Sequence, residues 1–281
     1  MAYTLSNLLQ DLYTELGQLT VTPATGGSAT TAVDSKQTGL HSDDDWKNGV
    51  LLVIAADDAA PEGEFQRISA YTDSSGTFTV DTAFSAAVAS GDTFGFASEY
   101  YPLRTLIELA NAGLRALGDI ALVDTTTLDT SVGVTEYTAA LAWKRRRPLM
   151  IDYQGRTGES GDNQWVRVYD WEFLPALPNA TGLIVFNEEL PQGRDIRIQY
   201  VDSHPRVSLF NDVISETISP DLALAAATER AIRWQNSRQG GVDPYLLTRW
   251  NDAKIELARA RVQYPIWTPG RVSKLMKVKG A

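Results

Sequence analysis

The feature that most constrains the fold is an alternation between short amphipathic helices and two long stretches of β-type sequence. Leucines at helical spacing predict a helix over 5–16, and similar apolar stripes and caps predict helices over 102–117, 220–238 and 244–264. The helix at 102–117 is expected to pack on the first, because a helix of about three turns is unstable alone. The stretches 20–98 and 136–200 are rich in strand-forming residues separated by turn residues.

Short runs within the two stretches predict strands. In the first stretch the predicted strands are 29–33, 50–54, 66–71, 77–80 and 93–96; in the second they are 136–138, 148–153, 164–169, 182–186 and 195–200. Short strands at this density indicate a small barrel or sandwich. We therefore predict an α+β fold, with a helical-bundle core of about four helices that carries two β-rich inserts.

The same pattern predicts how the chain is divided. The helical bundle is assigned to residues 1–19, 99–125 and 212–265. The first β insert, which is acidic, is assigned to 20–98, and the second β region to 126–211. Residues 266–281 are assigned to a basic C-terminal docking tail. An insert that leaves and returns between two neighbouring helices is a common domain arrangement.

Charge is distributed unevenly along the chain. Residues 1–100 hold 14 acids and 3 bases, whereas the last sixteen residues hold four cations and no acid. An acidic surface repels nucleic acid and favours solubility. There is no cysteine, no apolar run long enough to span a bilayer and no secretory signal, so we expect synthesis in a reducing cytoplasm and no membrane association.

Catalytic and metal-binding signatures are sparse. His41 and His204 fall in different β stretches, and the sequence has no serine-nucleophile, P-loop or dinucleotide motif. The triplet at 43–45 is either a hard-cation ligand set or a solvated acidic turn. Glu188 and Glu189 could serve a glycosidase, but neighbouring strand residues face opposite ways. We predict no enzymatic activity, no catalytic, cofactor-binding or metal residue, and no cofactor.

A basic run precedes a predicted strand of the second β region. It consists of Lys144, Arg145, Arg146 and Arg147. Three interpretations are open: a solvated start of a strand, an ion-pair site that contacts a neighbouring subunit, or a nucleic-acid contact. These four residues are our candidates for inter-subunit contacts.

The C-terminal tail mixes apolar and cationic residues after two prolines. A disordered segment would not normally keep so many apolar side chains. We predict that the tail orders against a partner, with charge steering the encounter, although a tail folded on its own domain is the alternative. The predicted docking residues are Trp267, Arg271, Lys274, Leu275, Met276, Lys277 and Lys279.

Several runs of the sequence resemble β modules of virion proteins of tailed bacteriophages. They are TAVD at 31–34, DWKNG at 45–49, APEGE at 60–64, RI at 67–68, GTFTV at 76–80, GDT at 91–93 and, after Phe186, LPQGRDIRIQY at 190–200. The order of helix, β insert, helix, second β region and C-terminal helices is similar, over most of the chain, to the head-to-tail adaptor proteins of the phage neck, also called connector or head-completion proteins.

The resemblance implies a structural virion protein in the neck between capsid and tail. It implies a homo-oligomeric ring of about a dozen subunits that binds the portal protein, joins it to the tail or a second neck protein, and extends the DNA channel. DNA would pass without sequence-specific binding, since negative walls repel it. In such proteins the C-terminal segment docks against the portal, and the basic tail here fits that role.

One other functional class fits the sequence. The chain could be a β-rich tail or receptor-binding component associated with fibres. Aromatic side chains would then stack on sugars, and the candidates are Trp46, Trp143, Trp165 and Trp171. Amphipathic helices are rarely needed in fibres, which favours the neck protein.

Overall fold

The computed structural model describes residues 2–57, 61–139, 147–157, 163–175, 177, 182–241 and 243–268. The chain divides into two compact units. Unit 1 combines Met1–Leu117 with His204–Pro265, and unit 2 combines Gly118–Ser203 with Ile266–Ala281. The finer division into bundle, inserts and tail stays a prediction.

Unit 1 contains four α-helices and a seven-stranded antiparallel sheet. The helices are α1 (Leu5–Glu15), α2 (Leu103–Ala116), α3 (Pro220–Arg238) and α4 (Pro244–Gln263). The strands are β1 (Thr20–Pro23), β2 (Gly26–Ser28), β3 (Thr31–Val33), β4 (Val50–Ala55), β5 (Phe65–Thr72), β6 (Thr77–Val80) and β7 (Thr93–Ala97). Their order is β1-β7-β4-β5-β6-β3-β2. Two residues of the chain join β1 to β2, so the sheet is rolled and its two edges lie near each other.

The rolled sheet encloses an aromatic core of its own. Phe78 and Phe96 lie with ring centroids 4.6 Å apart, and Trp46 packs on Phe96 at 4.7 Å in a T-shaped contact. Tyr71 and Phe94 complete the cluster on β5 and β7. Aromatic pairs at these distances add stability beyond the area they bury. The sheet therefore has its own apolar centre and does not depend on the helices for one.

Helix α3 is the common neighbour of the other three helices. It packs against α1, α2 and α4, and its buried residues lie all round its circumference. Because α1 packs on α3, the expected pairing of α1 with α2 is not the main helix contact. Small residues let α3 accept neighbours on several sides, and four of its buried positions are alanines: Ala223, Ala226, Ala227 and Ala231.

The contact between α2 and α3 depends on Gly113. A Cβ atom added at this position would lie 2.7 Å from the carbonyl oxygen of Ala226 and 3.0 Å from the amide nitrogen of Ala227. Both atoms belong to the backbone of α3, so they cannot turn aside as a flexible side chain can. Only glycine lets the two helices approach this closely.

We expect Gly113→Ala to destabilise the protein by about 2 kcal/mol, because overpacking outweighs the better helix propensity of alanine. The free energy of unfolding, from urea denaturation, measures this. The neighbouring Ala112→Gly is the matched control, and it should destabilise by about 1 kcal/mol through propensity alone. If alanine is the more stable residue at both positions, the proposed backbone contact is wrong.

The segment that re-enters unit 1 at His204 ties three helices together. The Asn111 side chain on α2 accepts a hydrogen bond from the Val207 amide and donates one to the Val207 carbonyl, at 2.9 and 2.8 Å. The Leu5 amide at the start of α1 donates to the Asp212 carbonyl, 2.9 Å away. Amide donors from residues 208 and 209 lower the pKa of the Asp212 carboxyl. These bonds fix the segment that leads into α3.

His204 is buried at the start of this segment and uses both ring nitrogens. The Ser215 amide donates to Nε2 at 3.0 Å, and Nδ1 lies 2.6 Å from the Pro205 carbonyl oxygen. Since Nε2 accepts, the proton of the neutral ring is on Nδ1. Burial lowers the pKa of His204 below its ordinary value of 6.5, although the Pro205 carbonyl opposes this.

We expect stability to depend on pH through His204. A lowered folded-state pKa gives stability that is present above about pH 6.5 and lost as pH falls towards the folded-state pKa. The free energy of unfolding should therefore fall from pH 7 to pH 5 less steeply in His204→Gln than in the unmodified protein. Above pH 7.5 the two curves should run parallel, and equal slopes between pH 5 and 7 would contradict the assignment.

The described residues of unit 2 form two antiparallel sheets. One contains β11 (Asn163–Val168), β10 (Met150–Thr157), β14 (Ile196–Ser203) and β8 (Asp119–Asp124) in that spatial order. The other contains β12 (Trp171–Leu174), β13 (Leu183–Phe186) and β9 (Glu136–Thr138). A second apolar core gathers side chains of both sheets, with Ile151, Ile196 and Ile198 from the first and Ile184 and Phe186 from the second.

The predicted α+β fold with a helical-bundle core is wrong. The described residues form fourteen strands in three antiparallel sheets beside the four helices, so strand is at least as abundant as helix. The four helix positions and all ten predicted strand positions are confirmed to within a few residues, whereas β1, β2, β8 and β12 were missed. The physical reason is that both β regions bury apolar cores of their own, so the helices do not form the core of the whole chain.

Candidate assembly surfaces

A carboxylate between two arginines marks the outer face of the four-stranded sheet of unit 2. Asp152 on the central strand β10 is directly opposite Arg167 on β11 and Arg197 on β14. The Asp152 carboxylate accepts from Arg167 Nε, and from Arg197 Nη2 and Nε at 2.8 and 3.0 Å. Its side chain is only 2% exposed, whereas each arginine is about a quarter exposed. Cross-strand register thus creates a nearly buried ion triad with one surplus positive charge.

The same face carries an aromatic platform. The Arg197 guanidinium lies 4.5 Å from the ring centroid of Trp165, a cation–π contact. Trp165 on β11 pairs with Gln154 on β10, and Gln154 lies two residues after Asp152 on the same strand. Because side chains alternate between the two faces of a sheet, Ile151 and Ile198 face the core of unit 2. The ion triad and Trp165 lie on the opposite face of the sheet. About a quarter of each arginine side chain remains exposed on this face.

Asp152, Arg167 and Arg197 were not among the residues predicted from the sequence. Alternation of Ile196, Arg197 and Ile198 does indicate an outward arginine, but β14 is distant in sequence from β10 and β11. Their pairing brings together residues up to 45 positions apart. A single sequence carries no signal for that register.

We expect Asp152→Asn to destabilise unit 2 by about 3 kcal/mol, because two guanidinium groups would lose their common carboxylate in a nearly buried site. Calorimetry of thermal unfolding measures this. Glu172→Gln removes an exposed strand carboxylate from the same unit and should change stability by less than about 0.5 kcal/mol. Equal effects of the two substitutions would show that the triad adds no stability.

Of the four predicted inter-subunit residues, only Arg147 lies within the described part of the chain. Its guanidinium lies 4.7 Å from the centroid of the Trp171 ring and donates to the Trp171 carbonyl at 3.4 Å. Arg147 is therefore held by its own unit, which fits the interpretation of a solvated start of a strand. Lys144, Arg145 and Arg146 lie outside the described residues.

Of the predicted docking residues, only Trp267 is described. It is 71% exposed, four residues after the end of α4 at Gln263. Arg271, Lys274, Leu275, Met276, Lys277 and Lys279 lie outside the described residues. Among the described part of the chain, Val262 at 83% and Trp267 are the most exposed large apolar side chains. Both belong to the segment that leads into the basic tail.

Helix α4 exposes a second apolar stripe. Its buried residues Leu246, Ala253 and Ala260 recur every seven positions and face α3. Ile255 and Val262, also seven apart, lie on the opposite side of the helix by its 100° rotation per residue, and both are exposed. Burying these side chains would be favourable, so the outer side of α4 is a candidate assembly surface.

The acidic triplet of the first β region has structural partners. Asp43 accepts from the Asp73 amide at 2.8 Å, Asp44 from the Tyr71 amide at 3.3 Å, and Asp45 from the Ser42 amide at 2.9 Å. A hydrogen bond from Lys47 lowers the pKa of the Asp44 carboxyl. In the part of the chain that the structure describes, no group of three or more potential ligands could hold a metal ion. The acidic-turn interpretation therefore fits better than the cation site.

The tryptophans proposed to stack on sugars are partly covered. Trp46 packs into the aromatic core of unit 1, and Arg197 and Arg147 lie over Trp165 and Trp171. Trp143 lies outside the described residues. In each of the two rings of unit 2, a guanidinium group already occupies one face.

Comparisons with known proteins add no family to these observations. No family model matches the chain, and a search of curated proteins finds no significant match. Within the described residues, no helix is both long enough and apolar enough to cross a bilayer.

Proposed function

We propose that this chain is a structural, non-enzymatic virion protein of the neck of a tailed bacteriophage. In this proposal it forms a homo-oligomeric ring between the portal protein and the tail, or a second neck protein, and the ring extends the DNA channel. The sequence resemblance motivates the proposal. The observation that carries it is the 71% exposure of Trp267, which lies at the start of the basic tail in the sequence.

An exposed apolar segment beside cations has the chemistry of a docking site. Tryptophan is enriched among residues that dominate binding energy, and rim cations steer a partner into register. The outer side of α4, with Ile255 and Val262, supplies apolar surface for a further contact. In a permanent assembly each protomer would bury more than roughly 1,000 Å² across its contacts, and these apolar surfaces would supply part of that area.

The alternative, a β-rich tail or receptor-binding component, has less support. It requires free aromatic faces, and guanidinium groups cover Trp165 and Trp171. A shift in melting temperature on adding sugars would favour this alternative over the neck protein.

The proposed function predicts binding to phage heads. The full-length protein should co-sediment with portal-bearing heads that lack tails, and electron microscopy should show new ring density at one vertex. A chain that stays monomeric beside intact heads would contradict the proposal.

Trp267→Ala tests the docking role of the tail. We expect at least about tenfold weaker head binding, because an aromatic anchor is lost, and unchanged stability, because the side chain is exposed. Leu40→Ala, which truncates an exposed apolar residue of the first β region, is the matched control and should bind like the unmodified protein. Equal binding by both variants would remove Trp267 from the docking site.

A further inference from the structure

An acidic groove lies between three helices of unit 1. It has a volume of about 300 Å³, and α1, α3 and α4 form its walls. Its carboxylates are Glu15, Asp221, Asp252 and Glu256, and Arg249 is the cation that lines it among the described residues. The carboxylates exceed the cations by three, although Arg259 pairs with Glu256 from outside the groove at 2.6 Å. The groove therefore favours a cationic occupant.

The floor of the groove is apolar and contains an unsatisfied hydroxyl. Leu224, Ile232 and Ala253 line it, so an occupant must bring apolar side chains as well as charge. Thr228 also lines it and is only 7% exposed, and its Oγ1 has no hydrogen-bond partner among the described residues. A buried hydroxyl without a partner is costly to the folded chain.

The C-terminal segment of this chain has the required chemistry. Residues 269–281 carry Arg271, Lys274, Lys277 and Lys279 with no acid, and Val272, Leu275 and Met276 lie between them. Thirteen residues can span up to about 45 Å when extended. Groove and segment are different surfaces of one chain, so their contact is heterologous and can repeat until a ring closes.

We propose that this groove binds the basic C-terminal segment of a second copy of the chain. Apolar side chains of the segment pack on Leu224 and Ile232, and its lysines pair with the carboxylates of the groove rim. The inference rests on the proposed self-association, and it leaves the contact of Trp267 with the portal as a separate question.

Charge reversal on full-length chains tests the contact. The groove variant carries Glu15→Lys, Asp252→Lys and Glu256→Lys, and the tail variant carries Lys274→Glu, Lys277→Glu and Lys279→Glu. In either variant alone, groove and segment have charges of the same sign. Sedimentation velocity should show at least about tenfold weaker self-association for each variant than for the unmodified protein.

Mixing the two variants should restore association. The positive groove of one variant then meets the negative segment of the other, and the negative groove meets the positive segment. A chain with Glu62→Lys, Glu99→Lys and Glu216→Lys has the same change in charge outside the groove and should associate like the unmodified protein. Circular dichroism checks that every variant is folded.

The outcomes separate this inference from the proposed function. If the unmodified chain associates and the two variants associate equally well, the groove inference is overturned and the ring proposal stands. If mixing fails but one chain with all six reversals regains native behaviour, the segment binds its own groove and the contact between copies is overturned. If the unmodified chain is monomeric at every concentration and does not bind heads, both proposals fail.

Discussion

The close approach of α2 and α3 at Gly113 is the constraint on which the helical part of unit 1 depends. Because a Cβ atom at that position would meet the backbone of α3, the two helices pack closer than side chains would allow. α3 in turn provides the surfaces for α1 and α4. The segment from His204 to Ile214 fixes α1 and α2 by hydrogen bonds before the chain enters α3. A change in the position of α3 would therefore alter its contacts with α1, α2 and α4, and it would change the shape of the acidic groove.

Unit 2 is held together by different interactions from those between the helices of unit 1. Its sheets share an apolar core, and its outer face is organised by a carboxylate that two arginines hold in register. Such a triad contributes little net stability compared with an apolar replacement, but a single missing partner leaves a charge uncompensated. Ion triads of this kind therefore favour one strand register over its alternatives. Because two arginines share one carboxylate, this face of the sheet keeps one positive charge.

The sequence predicted local structure well and long-range organisation poorly. Leucine periodicity locates α1 to within one residue, and alternation around Ile196 and Ile198 locates β14. Strand β8 was not predicted from the sequence. This short stretch follows α2 directly, and it forms a strand because it pairs with β14. Asp152 was also missed as a site, since the two arginines that surround it come from other strands. The prediction of the fold class was wrong for the same reason, because residues distant in sequence decide which elements are buried together in a core.

Net charge along the sequence is a poor guide to surface charge. The first hundred residues hold most of the surplus acid, yet several of those carboxylates accept hydrogen bonds from turn amides, as Asp34 does from Lys36 and Asp92 from Ala89. These bonds use acidic side chains to build turns. The acidic groove arises instead where α1, α3 and α4 meet, and three of its four carboxylates come from α3 and α4, beyond the acid-rich first hundred residues. Helix packing concentrates there carboxylates that lie far apart in the chain, so a basic partner would recognise a surface that linear charge does not reveal.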